Sequence, residues 1–473
     1  MWFGAEFQRN LWLQLSWGRV VAAPMLIGII VAALLHAAEP SPGRMAEFAR
    51  WGFIVLMALW STRRVADALA EEVGGGTWES QRMSGLSAWS MVWGKLFGGA
   101  SFPWYCGLIC LGLIAWYGLQ APATSSAALV QRLAALALGA VLGQATALVV
   151  ALLLLRKAQF RRRLAVTMAQ IAGLLAFGVA AAADHSPGLW AERLGAVWWY
   201  GREYDAGQFH LASAGIFTLW ALLAAWRLMR AELLYVNRPW LWKLFTLFCM
   251  AYAAGFVAWE TEVLTSRLAV ACLAALVLTY VGFLAEAKDP VRYRWGLARF
   301  AALHWWRALE FMPWWLISYL LAVAAGVATI WSLANGGQLA EGAPWWFRLL
   351  RDAKWAALEP VAFNFAALLL FVLRDMLFLL WLNFSGRFRG RADLAGLVVL
   401  VIAYWPLPML LVGAGLSQLL PAVFPFAVIN AMAVAWPAAE VAVMAVLLFL
   451  RWRRAARIEI VADDRDEPST GAR

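Results

Sequence analysis

Charge is scarce in this chain, and so are the residue types that most chemistry needs. Asp, Glu, Lys and Arg make up 14% of the 473 residues, against roughly 25% in a soluble globular domain. That shortfall excludes a soluble domain as the main body. The four histidines, His36, His185, His210 and His304, are scattered, and the four cysteines, Cys106, Cys110, Cys249 and Cys272, all lie in apolar runs. They offer no metal-ligand spacing and no disulfide framework. The cysteines read as small buried hydrophobes, and no metal site is expected. The phosphate-cradling string G-x-x-x-x-G-K-[ST] is missing, because Gly94-Lys95 lacks the leading glycine loop and is followed by Leu96. No cofactor is therefore expected to bind this chain. Nor does its start read as a cleavable signal peptide, since the residues before Arg19 include Trp, Gln, Asn and Arg9 and the first apolar run is long enough to span.

What is present is hydrocarbon. Hydrophobic residues reach 64%, and apolar runs long enough to cross a bilayer recur along the chain, so the fold class is an all-α polytopic membrane protein. About twelve spans are predicted, near 19–38, 46–66, 97–119, 132–155, 164–183, 210–229, 241–258, 267–286, 313–332, 359–384, 394–413 and 426–450. The second is the weakest, with Arg50 and Arg63-Arg64 close about it. Placing the N-terminus in the cytoplasm puts most of the 39 basic residues inside, as membrane proteins prefer. The C-terminus is then cytoplasmic too. The net charge of +11 is a topology signal; no basic patch sits in a soluble domain, so no nucleic-acid partner is read into it.

The spans look like two parallel six-span repeats. Leu69-Ala70-Glu71 recurs as Leu284-Ala285-Glu286, and Phe160-Arg161-Arg162-Arg163 as Phe388-Arg389-Gly390-Arg391. The first unit is 1–235 with a polar loop at 70–95. The second is 236–455 with a more basic loop at 286–312. The tail, 456–473, carries Asp463-Asp464-Arg465-Asp466-Glu467-Pro468 and is expected to be disordered.

The loop Ala70 to Lys95 reads AEEVGGGTWESQRMSGLSAWSMVWGK. Gly74-Gly75-Gly76 can break a helix, Thr77 can cap the next one, and Glu79 then sits in its first turn. Trp78, Met83, Leu86 and Trp89 supply apolar positions near helical spacing. The product is a short amphipathic helix at the cytoplasmic face, which either docks on a soluble partner or lies at the lipid interface.

The order and spacing of Glu71-Glu72, Gly76-Thr77-Trp78-Glu79, Leu86-Ser87 and Gly94-Lys95 resemble the first cytoplasmic loop of the ABC type-2 (export-class) permeases. The opening MWFGAEFQRNLWLQLSWGR resembles that family's interfacial N-terminal helix. The resemblance implies a permease of the bacterial inner membrane, not an enzyme, that exports a substrate. It also implies that Glu71, Glu72, Gly76, Thr77, Trp78 and Glu79 touch separate ABC ATPase subunits, two of them, which supply the ATP hydrolysis. Two features depart from the family. The proline common near Gly85 or Leu86 is absent, and one chain carries both halves, alone or beside a second permease chain. The alternatives are a multi-span glycosyl or lipid transferase and a permease-like scaffold without transport. Such transferases usually need acidic residues in an early external loop, and AAEPSPGRMAEFAR offers only Glu39 and Glu47, well apart.

Charges also fall inside spans: Arg374 and Asp375 in the tenth, Glu440 in the twelfth. Arg374 and Glu440 lie at matching depth, about 15 Å from the cytoplasmic exit, and can pair. Asp375, adjacent on the helix, is expected to face elsewhere. Such charges either lock two helices together or line a translocation path. The linkers 184–208 and 413–425 are expected to form short re-entrant helices, as the family's final external loop does.

Overall fold

The computed structural model describes residues 4–37, 41–121, 125–155, 162–181, 196–235, 239–257, 263–304, 308, 310–335, 361–385, 391–424 and 432–466. The chain divides into two compact units, Met1–Val197 with Glu203–Asn237, and Trp198–Arg202 with Arg238–Arg473.

The first unit begins with α1 (Ala5–Gln14) and α2 (Trp17–Ala37). A continuous helical run follows: α3 (Pro42–Ile54), a π-helical stretch (Val55–Ser61) and α4 (Thr62–Gly74). Two short helices, α5 (Thr77–Arg82) and α6 (Ala88–Trp93), lead through a second π stretch (Gly94–Gly98) into α7 (Ser101–Gln120), α8 (Ser126–Leu155), α9 (Arg162–Ala181) and α10 (Ala206–Glu232). Local chemistry sets these ends. Pro42 opens α3 at a position where its missing N–H costs nothing, and the Ser87 hydroxyl accepts from the Ser90 N–H at 3.2 Å to start α6. Phe53, Met57, Ile114, Leu136 and Phe177 form the core. α8 crosses α9 at two glycines: a Cβ on Gly143 would stand 2.9 Å from the Gly173 carbonyl oxygen. Small residues let helix backbones approach this closely in a membrane.

The second unit contains α11 (Trp240–Ala254), α12 (Val263–Ala285), α13 (Pro290–Ala301), α14 (Trp314–Ala334), α15 (Val361–Asn383), α16 (Ala392–Tyr404) and α17 (Pro406–Gly413). A 3-10 turn (Ser417–Ala422) and the long α18 (Met432–Asp466) complete it. Phe283, Trp315, Tyr319, Phe365, Met376 and Leu379 make its core.

Among the described residues ten helices are long and apolar enough to cross a membrane. The expected second span lies in the continuous helical run 42–74, which the π stretch Val55–Ser61 divides into two α-helices of 13 residues each. The expected seventh is α11, 15 residues long, where about 20 are needed to span. The tail departs from expectation: α18 stays helical through Asp466, so 456–466 is not a disordered strand of charge. The segment extends a helix already nucleated in the preceding span, which removes the nucleation cost. Within the linker 184–208, the described part holds a two-stranded hairpin, Ala196–Trp199 with Arg202–Asp205, and not the expected re-entrant helix. Tyr200 and Gly201 both take positive φ, 51° and 73°, the geometry of a tight hairpin turn that matches strand twist. The tip docks on the end of α11: the Tyr200 N–H donates to the Gly255 carbonyl at 2.8 Å, and the Tyr200 hydroxyl to the Ala251 carbonyl at 2.8 Å.

Candidate functional site

In the first unit α1 lies across the π stretch 94–98, and two glycines admit it. A Cβ on Gly94 would stand 2.4 Å from Glu6 Cγ, and one on Gly98 2.9 Å from Asn10 Cβ. The contact is built on charge. Lys95, 0% exposed, is salt-bridged to Glu72 and lies 3.5 Å from Glu6 Oε1. Arg9 Nη2 donates to Glu6 Oε1 at 3.1 Å and to Glu72 Oε1 at 2.7 Å. Asn10 Nδ2 donates to Glu6 Oε1 at 3.1 Å and to the Gly94 carbonyl at 3.3 Å. The Trp78 ring, also buried, stands 5.4 Å from Lys95 Nζ. Two cations and two carboxylates thus tie α1, the end of α4, α5 and the start of the next span into one clasp.

Burial on its own would raise the Glu72 carboxyl, but the Lys95 charge and the hydrogen bonds from Lys95 and Arg9 outweigh it and hold the group below its ordinary value of 4.5. A carboxyl lowered on folding adds stability that is complete above the unfolded value and is lost as pH falls through the folded one. Glu72→Gln is therefore expected to lower the melting temperature of the detergent-solubilised protein near neutral pH, and to lose that deficit on titration below 4.5. A deficit that is the same at every pH would show that the carboxylate charge is not what the clasp uses.

The loop residues divide into two groups. Glu72 and Trp78 point into the clasp. Glu71 is exposed, 3.9 Å from Arg162 Nη2, and Glu79 is 69% exposed and bridged to Arg82 at 2.9 Å. Gly76, at φ 71°, is the residue that caps α5, in place of the expected Thr77. Reversing the chain this tightly after α4 needs a left-handed residue, which glycine supplies without strain. The Thr77 hydroxyl instead donates back to the Glu72 carbonyl at 3.3 Å. Past α5, Met83 is 81% exposed. Of the clasp partners, Lys95 belongs to the Gly94-Lys95 string of the loop, whereas no pattern in the sequence singles out Glu6, Arg9 and Asn10.

The root of the second loop is fastened in a comparable way. Glu286 Oε2 accepts the Trp314 N–H at 2.8 Å, at the start of α14, and Arg292 lies 3.1 Å away. Lys288 bridges to Asp393 at 2.8 Å. Burial pushes the Glu286 carboxyl up, against the opposing pull of Arg292.

In the second unit Arg374 Nη1 donates to Glu440 Oε2 at 2.6 Å and to the Ala422 carbonyl at 3.1 Å. Asp375 does not face elsewhere as expected. The Arg374 guanidinium folds back along its own helix, and its Nε and Nη2 both donate to Asp375 Oδ1, at 3.0 and 2.8 Å. The long stem of arginine defeats the rule that adjacent helical residues diverge. Two phenols that sequence reasoning did not select complete the cluster. The hydroxyls of Tyr280 (α12) and Tyr404 (α16) donate to Asp375 Oδ2 at 2.6 and 2.7 Å, and Arg374 Nη2 donates to the Tyr404 oxygen at 2.8 Å. Three helices are joined at one buried carboxylate, and Arg374 ties in a fourth through Glu440.

Beside this cluster is an apolar cavity of about 600 Å³, lined among others by Leu273, Val277, Tyr280, Phe371, Tyr404 and Phe424. No family model matches the chain, and neither a curated protein nor a solved structure matches it.

Proposed function

We propose that this chain is the permease of an ATP-driven ABC exporter in a bacterial cytoplasmic membrane, with both termini cytoplasmic. It binds no cofactor itself and is driven by separate ATPase subunits. The observation that carries the reading is the clasped loop. α5 projects Glu79 and Met83 outward while Trp78, Glu72 and Lys95 bind its base to α1 and to the helices on either side. A short exposed helix on a stiff root suits the delivery of a partner's motion to the spans, and a floating interfacial helix would need no such root. The division into two compact units, each with a fastened loop root, supports the reading of one chain as two six-span halves that rock as the ATPases close.

Glu79 is the residue to change, because it is exposed and takes no part in the clasp. In vesicles holding this chain with its ATPase, Glu79→Lys is expected to cut transport-coupled ATP hydrolysis about tenfold, the equivalent of about 1.4 kcal/mol at the contact, with normal membrane insertion. Unchanged coupling in Glu79→Lys combined with Met83→Glu, or failure of the wild-type chain to retain an ATPase on purification from its native membrane, would overturn the reading.

A further inference from the structure

The cavity in the second unit has a floor, a mouth and a length that together define an occupant. Its walls come from α11, α12, α15 and α16 and from Phe424, two residues past the 3-10 turn. Along α12 it runs from Val270 to Tyr280, about 15 Å at helical rise. That is half of the roughly 30 Å hydrocarbon core of a bilayer, the reach of one acyl chain, and it is centred on the middle of the span Leu264–Ala285. The floor is the phenol pair Tyr280 and Tyr404, whose hydroxyls are turned away to Asp375, so the cavity meets ring carbons. The Arg374 charge is spent on Asp375 and Glu440. The cavity is open to the outside of the bundle where its wall residue Val277 is 63% exposed.

Water does not suit this space. A buried water needs two to four polar partners, and here aliphatic and aromatic side chains surround it. An ion or a sugar would find no counter-charge and no hydrogen-bonding wall. Three of the wall-forming helices, α12, α15 and α16, belong to segments apolar and long enough to span, so the medium at the mouth is lipid.

We propose that this cavity is a seat for one acyl chain of a membrane phospholipid, which lies along α12 and ends on the Tyr280–Tyr404 floor. The seat holds whether or not an ATPase drives the chain. The fixed charge cluster under it sets where the chain must stop.

The test uses the full-length protein reconstituted in phosphatidylcholine vesicles whose acyl chain carries a mid-chain diazirine. After irradiation, adducts are mapped by mass spectrometry. Adducts on Leu273 and Phe371 are expected, at least fivefold fewer of them in Ala274→Phe, which fills the cavity, and an unchanged yield on exposed Leu264, which reports bulk lipid. Leu368→Trp fills the same space from α15 and is expected to act alike, so a folding failure of one variant does not remove the test. A wall yield that neither variant lowers, a wall yield no higher than background, or labelling by a diazirine fatty acid and not by the phospholipid would each overturn the proposal.

Discussion

Lys95→Met is expected to cost about 3–5 kcal/mol, the scale for removing one partner of a buried ion pair. The lysine is fully buried and neutralises part of two carboxylates that also share Arg9. Methionine fills the space of the stem but leaves Glu6 and Glu72 with one cation between them, and that cation, Arg9, is half exposed. The expected readouts are a large drop in thermal stability in detergent and rapid proteolysis at the α1–α2 junction. Lys95→Met with Glu72→Gln is expected to recover much of the loss, since the remaining pair, Glu6 and Arg9, is balanced. If the double variant loses the sum of the two single effects, the two residues act independently and the clasp is held by packing at Gly94 and Gly98.

Arg374→Met is expected to be as severe, by about the same 3–5 kcal/mol or more. It leaves Asp375 and Glu440 in a span with no cation, where an unpaired charge is expensive. The order of effects distinguishes the partners. Asp375 is fully buried and accepts four hydrogen bonds, two from Arg374 and one each from Tyr280 and Tyr404, while Glu440 is partly exposed. Asp375→Asn is therefore expected to destabilise more than Glu440→Gln. Removing Glu440 alone leaves a balanced Arg374–Asp375 pair; removing Arg374 leaves two charges stranded. The triple change Arg374→Met, Asp375→Asn, Glu440→Gln is expected to be more stable than Arg374→Met alone. Thermal denaturation followed by size-exclusion fluorescence in one detergent gives the ranking. A larger effect for Glu440→Gln than for Asp375→Asn would mean that the helix-to-helix bridge, and not the buried carboxylate, holds the cluster.

The sequence was most legible where a single segment carries its own signal. Apolar length located the helices, and depth along two spans brought Arg374 to Glu440. Legibility failed where meaning depends on residues far apart. Glu6 and Lys95 are 89 positions apart and Tyr280 and Asp375 95, and no local period announces either meeting. It failed again where one side chain could reach beyond its helix position, as Arg374 does. The hairpin at Tyr200-Gly201 was missed because four-residue strands hold too little pattern to outweigh the surrounding helical bias. The second and seventh spans differ from expectation for a plainer reason: hydrophobicity finds apolar stretches, and backbone geometry then decides how each is wound, with a π stretch inside the one and an early end at Ala254 in the other.

The π stretch Val55–Ser61 gives that last point a mechanical sense. Met45, Ala49, Phe53, Met57, Ser61, Val65 and Leu69 are all buried and lie at a strict spacing of four. On an ideal α-helix a spacing of four advances the stripe by about 40° at each step, because a turn takes 3.6 residues. The stripe would wind most of the way around the axis before reaching Leu69. A wider π turn absorbs about one residue, and so takes roughly 100° out of that winding. The remaining twist carries the stripe from α7, against which α3 packs, to α8 and α9, against which α4 packs. The run is a geared shaft with its phase set at one joint, and that phase fixes the bearing on which Glu72 leaves the bundle to meet Lys95.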